Sequence, residues 1–406
     1  MTGEAGRVRG PLASSLVRGA LTFAWVALAG QAIAFAEYAA SGLYRPWSWM
    51  KIGLLYVLSF CGVAFDASGA TPGSAPSRVR LVLMLGTALV VWLAFRAGRA
   101  TAGTVGSRDV RRAGAWGAAP ALAFALLSGL GSLLVTLRFP DDGIERLRPV
   151  TWEAFVISFV VVAVAGAAGG VAAAIEDRPT RTTEIVAGGW RMFVAALLLA
   201  FAGVLVLAAL EPAATSGYAR GLRGFGVGGA VLLGHHLLLA PNQSLDVLAP
   251  SMGGATELRV QEDVTRLTVR GVEPSEALGL TGWGSEGVEL PTAYLAFLVV
   301  PVAATLMGGR RAGGAAIDHR ERARRGACAG AVFASLVTAG SLMATVTVSS
   351  QGGWSGRLGP SMPSTALLAL AWGVAGGVVG SLLPWVRQPV GGEGEPPERS
   401  PVPTSA

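Results

Sequence analysis

Lysine is almost missing from this chain: it occurs once, at Lys51, and every other Lys/Arg position is arginine. In a sequence this rich in Ala, Gly and Arg, that bias indicates GC-rich coding and points to a bacterium. Cysteine is nearly as scarce, with only Cys61 and Cys328, too few for a disulfide framework or a cysteine metal site. Both are expected as small apolar core residues. Charged side chains make up 14% of the chain against 52% hydrophobic, which does not describe a soluble enzyme. No soluble segment is large enough to gather arginines on one face, so nucleic acid is not an expected partner. Catalytic signatures are missing too: the chain has no H-E-x-x-H, no G-x-S-x-G and no Walker lysine motif. No enzymatic activity, cofactor or metal is expected.

What the chain does have is apolar runs close to the roughly 20 helical residues that cross a bilayer. They fall at about 16–40, 48–65, 79–96, 115–138, 153–175, 189–210, 224–240, 291–309, 326–348 and 365–386. Backbone amides in lipid must be bonded within the segment, and the alternation of a membrane barrel is absent. The expected fold class is therefore an all-α integral membrane protein, a bundle of about 8–10 transmembrane helices, with the lipid bilayer as its first partner. Arg7, Arg9 and Arg18 precede the first run, which ends in Ala34-Phe35-Ala36; its length and the spans after it favour an uncleaved anchor over a signal peptide.

Orientation follows from arginines in short loops. Two loops stand out, 96–112 and 310–325, and both should face the cytoplasm. If all ten runs cross, the two loops fall on opposite sides. If 48–65 and 224–250 dip in and return, both become cytoplasmic. Those two runs are the irregular ones: the first begins with Trp47, Trp49 and Lys51, and the second is glycine-rich and stops at Pro241. Either arrangement gives a cytoplasmic segment 1–15, membrane helices over 16–250, an extracytoplasmic loop at 251–290, three further helices over 291–388, and a cytoplasmic tail at 389–406. The Pro, Glu and Ser content of that tail predicts disorder. The 251–290 loop alternates Leu258, Val260 and Val264, then Leu267 and Val269, around Glu262-Asp263, which predicts a small β ribbon.

Small residues four apart recur, at Gly166 and Gly170, Gly326 and Gly330, Gly373 and Gly377, and Gly376 and Gly380. They are expected to pack helices within the bundle. Glu37 and Glu153 lie near span ends and are expected to be solvated.

The polar candidates are His235, His236, Asn242 and Asp246, in the stretch GHHLLLAPNQSLDVLAPSMGG. Adjacent histidines on a helix point about 100° apart, so they make a poor metal pair and suit a hydrogen-bonded or proton-sensing role better. After Pro241, Asn242 or Ser244 can cap a second short helix, with Asp246 in its first turn and Pro250 at its end. The other reading places these residues on a solute pathway at a broken helix.

A long first span, a shorter second segment, a third ending LAFRAGRATAG (Leu93 to Gly103) and a late glycine-rich span ending LLLAPN (Leu237 to Asn242) resemble the actinobacterial PerM-like membrane proteins. The chain departs from them at Leu245-Asp246, where an aromatic is usual, and from Pro250 to Gly254, where they carry a Gly-Pro-Gly-Phe-like stretch. The resemblance implies a multi-pass membrane protein linked to cell division and envelope integrity, without an established enzymatic activity; the expected role is support of division or envelope assembly in the bacterial cell membrane through contacts with other membrane proteins. The alternative is a transporter or channel with a solute or proton pathway at 224–250.

Overall fold

The computed structural model describes residues 3–41, 48–69, 77–106, 109–139, 144–175, 181–210, 229–260, 263–269, 286–290, 296–314, 316, 318–350 and 355–384. In chain order these form α1 (Gly3–Ser41), α2 (Ser48–Cys61), β1 (Phe65–Gly69), β2 (Ser77–Arg80), α3 (Met84–Val105), α4 (Val110–Ala118), α5 (Pro120–Leu134), β3 (Leu137–Phe139), β4 (Ile144–Pro149) and α6 (Thr151–Ile175). Then follow α7 (Arg181–Leu210), α8 (Gly229–Ser251), β5 (Thr256–Val260), β6 (Asp263–Val269), β7 (Glu286–Leu290), α9 (Val299–Gly313), α10 (His319–Ala344), β8 (Val346–Ser350), β9 (Ser355–Pro360) and α11 (Met362–Leu382). Among the described residues six helical stretches are long and apolar enough to cross a membrane: Gly10–Ala39, Val110–Leu134, Thr151–Ile175, Arg181–Val206, His319–Ala344 and Met362–Leu382.

The two halves of the chain repeat one another. Each runs a long helix, a helix ending in a glycine turn, a hairpin, a returning helix, a helix, a second hairpin and a last helix. Both glycine turns have the left-handed conformation that only glycine takes without strain, at Gly62 (φ 84°) and Gly253 (φ 92°). They close with the same bonds: Gly62 N–H to Ser59 O and Val63 N–H to Leu58 O in one, Gly253 N–H to Pro250 O and Gly254 N–H to Ala249 O in the other. An aspartate caps the equivalent helix in each half, Asp109 accepting from Arg111 N–H and Asp318 from Arg320 N–H. Pro120 splits α4 from α5, whereas α10, with Ala329 at that place, runs unbroken.

Backbone-to-backbone glycine contacts hold each half. A Cβ on Gly98 would lie 2.1 Å from Gly166 O and one on Gly117 2.4 Å from the same atom; a Cβ on Gly309 would lie 2.4 Å, and one on Gly326 2.2 Å, from Gly377 O. Without a side chain the helices meet at backbone distance, which supplies dispersion contact where water expulsion supplies little. The glycine pairs seen in sequence thus pack inside one chain.

All four hairpins lie at one end of the bundle and merge into a nine-stranded sheet of order β3-β4-β1-β2-β8-β9-β5-β6-β7, where sequence alternation had signalled one ribbon. The first half contributes β3-β4-β1-β2 and the second β8-β9-β5-β6, the same internal order. Antiparallel pairing of β2 with β8, from Ser77 against Ser350 to Arg80 against Thr347, joins them, and β7 adds in parallel to β6.

Each half also has its own core, one built around Val57, Phe60, Phe124 and Val162, the other around Met192, Leu245, Leu248 and Phe333. The cores exchange residues at the seam: Leu238 of α8 joins the first, and Val82 and Met84, at the β2–α3 junction, join the second.

Candidate functional site at the seam

The polar residues singled out in sequence lie on α8, the helix that bridges the halves. This helix does not break at Pro241: it continues from Gly229 to Ser251 with both prolines inside. Proline removes one N–H and frees one carbonyl, which a neighbour can satisfy. For Pro250 the freed carbonyl is that of Asp246, and it accepts a 2.6 Å hydrogen bond from Thr256 Oγ1. One turn earlier Ser244 Oγ donates to Ala240 O.

Asn242 is 4% exposed and caps a helix, but not its own. The start of α3 has no side-chain cap of its own. Asn242 Oδ1 accepts from Met84 N–H at 3.2 Å, and Nδ2 donates to Val82 O at 2.8 Å. The amide closes both open backbone groups where a strand becomes a helix, locking the second half onto the first.

Asp246 lies one turn further on, and its Oδ1 is buried with no hydrogen-bond partner among the described residues. Its neighbours Leu245, Leu248 and Met252 are at most 1% exposed, while Asp246 as a whole is half-buried. Trp372 Nε1 donates to Met252 O at 3.0 Å and ties the end of α8 to α11. The side chains of His235 and His236 lie outside the described residues. Among the described residues no group of three His, Cys, Asp or Glu could hold a metal ion.

Two acidic residues expected at solvated positions are buried. Glu37 is 5% exposed and accepts a hydrogen bond from Tyr56 Oη at 2.5 Å, which clamps α2 to α1. Glu153, 3% exposed in the first turn of α6, accepts from Ala64 N–H at 3.2 Å and pairs with Arg80 Nη2 at 2.7 Å. Arg78 lies 3.8 Å from its second oxygen and also meets Asp66 at 3.0 Å. Both arginines stand on β2, the strand that pairs across the seam. Sequence reasoning missed this cluster because its partners are tens of residues apart, and β2 is a four-residue strand that periodicity does not mark.

The opposite end of the bundle carries the arginine-rich segments. There Arg325 joins Glu184 of α7 at 2.6 Å to Glu321 of its own helix at 2.8 Å, and Arg181 reaches Glu321 at 2.8 Å. These bonds staple α7 to α10 and leave Arg310, Arg311, Arg320 and Arg324 exposed.

Six membrane-length helices among the described residues define the class: a multi-pass helical membrane protein, here built from two repeats. No family model, curated protein or solved structure matches the chain.

Proposed function

We propose that this is a non-catalytic protein of the bacterial cell membrane that supports cell division or envelope assembly by protein–protein contact, with the nine-stranded sheet as its outward surface. The observation that carries this reading is the placement of the sheet at the end opposite the arginine-rich segments. The two densest arginine segments orient to the cytoplasm, which turns the sheet outward and both termini inward, although the sheet itself carries Arg78, Arg80, Arg138 and Arg259. Two anchors support a reading in which α2 and α8 do not cross. Lys51 Nζ donates to Thr136 O at the sheet end, where α2 also finishes; Asn242 bonds the β2–α3 junction at that same end, where α8 finishes. Eight segments then cross, the six long apolar stretches (in α1, α4 with α5, α6, α7, α10 and α11) and, with them, α3 and the shorter α9, and segments 96–112 and 310–325 both face the cytoplasm. The resemblance to PerM-like proteins agrees with this use.

Photo-crosslinkers at Arg138 on the edge strand β3 and at positions 257–272 test the proposal in cells. Capture of an envelope or division membrane protein is expected. An absence of adducts at every position, together with normal septation in a deletion strain, contradicts it.

The unpartnered oxygen of Asp246 favours a second reading, a proton or solute pathway along α8. Vesicles containing the protein would then show a flux that Asp246→Ala abolishes, and an unchanged flux would remove this reading.

A further inference from the structure

The repeat makes one local difference conspicuous. In the second half α7 and α9 close on each other: a Cβ on Gly188 would lie 2.8 Å from the Ala312 Cβ and 3.0 Å from Gly308 O. The equivalent of Gly188 in α1 is Arg18, which follows from the matched contacts of Gly19 on Pro120 O and Gly189 on Ala329 O. Between α1 and α3 there is instead an open groove of about 570 Å³. Trp25 and Trp92, both more than half exposed, form its walls, and it runs on past Leu89 to Phe60 and Leu238. The second-half counterparts of these tryptophans are Ala195 and Ala303.

Arg96 lines one end of the groove, and Arg18 lies beyond that end on α1. Arg96 lies over the Trp92 ring at 5.0 Å and has no acidic partner among the described residues. Its second-half counterpart is Met307. Arg18 shares a helical stripe with Trp25 and Ala29, seven and eleven residues on, and so sits about 10 Å nearer the arginine-rich end. One of its guanidinium nitrogens is buried with no hydrogen-bond partner among the described residues. From Arg96 to Leu85 the groove follows eleven residues of α3, about 16 Å, close to the roughly 15 Å thickness of one leaflet's hydrocarbon.

We propose that this groove holds one anionic glycerophospholipid of the leaflet on the arginine-rich side, its phosphate bound by Arg96 and Arg18 and one acyl chain lying between Trp25 and Trp92. The four residues that make the site are present only in the first half, although the glycine contacts beneath are common to both. The site is therefore an addition to the repeat rather than a consequence of it. It rests on the membrane class alone, and a failure of the partner proposal would leave it standing.

The test uses the full chain in phosphatidylcholine nanodiscs doped with acyl-brominated phosphatidylglycerol or, separately, acyl-brominated phosphatidylcholine, reading quenching of tryptophan fluorescence. Quenching by the anionic lipid at lower mole fraction is expected, with a Trp25→Phe/Trp92→Phe variant losing the quenched component. Arg96→Met and Arg18→Gly import residues that the second half already accommodates, and each should lower the anionic preference about fivefold, the value of one arginine at a charged lipid surface. Equal quenching by both lipids in the unmodified chain overturns the proposal, whatever the variants do. So does a preference that survives both arginine substitutions, or one that millimolar inorganic phosphate abolishes.

Discussion

The first and second halves of this chain have the same architecture but carry different chemistry. Both keep the left-handed glycine turns, the aspartate caps, the glycine contacts and the strand order. The first half alone has the Glu153 cluster, the Glu37–Tyr56 clamp and the groove with Arg18 and Arg96. The second half alone has Asn242 and Asp246 on α8 and the Arg325 staple. The comparison teaches that backbone proximity builds the unit in both halves, while the polar side chains differ: Asn242 joins the halves, and the Glu153, Glu37 and Arg325 contacts each brace elements within one half.

The sharpest way to break the comparison is at a shared position. Gly98→Leu and Gly309→Leu should each lower stability by about 3 kcal/mol, and by similar amounts, because each side chain would meet backbone at an equivalent place. Gly103→Ala, whose Cβ meets nothing within 4 Å, should be neutral or slightly stabilising. Thermal unfolding of the detergent-solubilised chain measures all three, and a large difference between Gly98 and Gly309 would argue against equivalent halves. Asn242→Leu comes next, at about 2 kcal/mol, since it strands Met84 N–H and Val82 O at the seam. Hydrogen exchange should quicken at the first turn of α3 and stay unchanged in the middle of α6. Glu153→Gln should cost about 1–2 kcal/mol, less than a fully buried pair, because Arg78 and Arg80 remain 46% and 41% exposed. Glu184→Gln should have the smallest effect, about 0.5 kcal/mol, and 1 M salt should reduce it further.

The helices were legible in sequence because lipid imposes length and apolarity on any crossing segment. The sheet was mostly hidden: β1, β2 and β3 have three to five residues, and their pairing is set by where the helices end. The repeat was legible in principle. FALLSGLGSLL at Phe124 aligns with FASLVTAGSLM at Phe333, matching Phe, Gly and Ser at Phe124/Phe333, Gly131/Gly340 and Ser132/Ser341. Pro241 suggested a break because proline usually ends helices, yet one lost N–H is tolerated inside a packed bundle. Asn242 or Ser244 was expected to cap a second short helix after Pro241; Asn242 instead caps a helix 158 residues earlier, which no local pattern reveals. Glu153 looked solvated from its place near a span end, and two arginines on another element made its burial affordable.

The central claim is that segments 96–112 and 310–325 share the cytoplasmic face while the sheet lies outside. With Cys61 and Cys328 replaced, Thr104→Cys, Arg320→Cys and Arg259→Cys, all at exposed positions, can each be probed in intact cells with a membrane-impermeant maleimide. The account predicts labelling at position 259 alone, with 104 and 320 labelled only after permeabilisation. Labelling of position 104 from outside, as ten crossings would require, would contradict it.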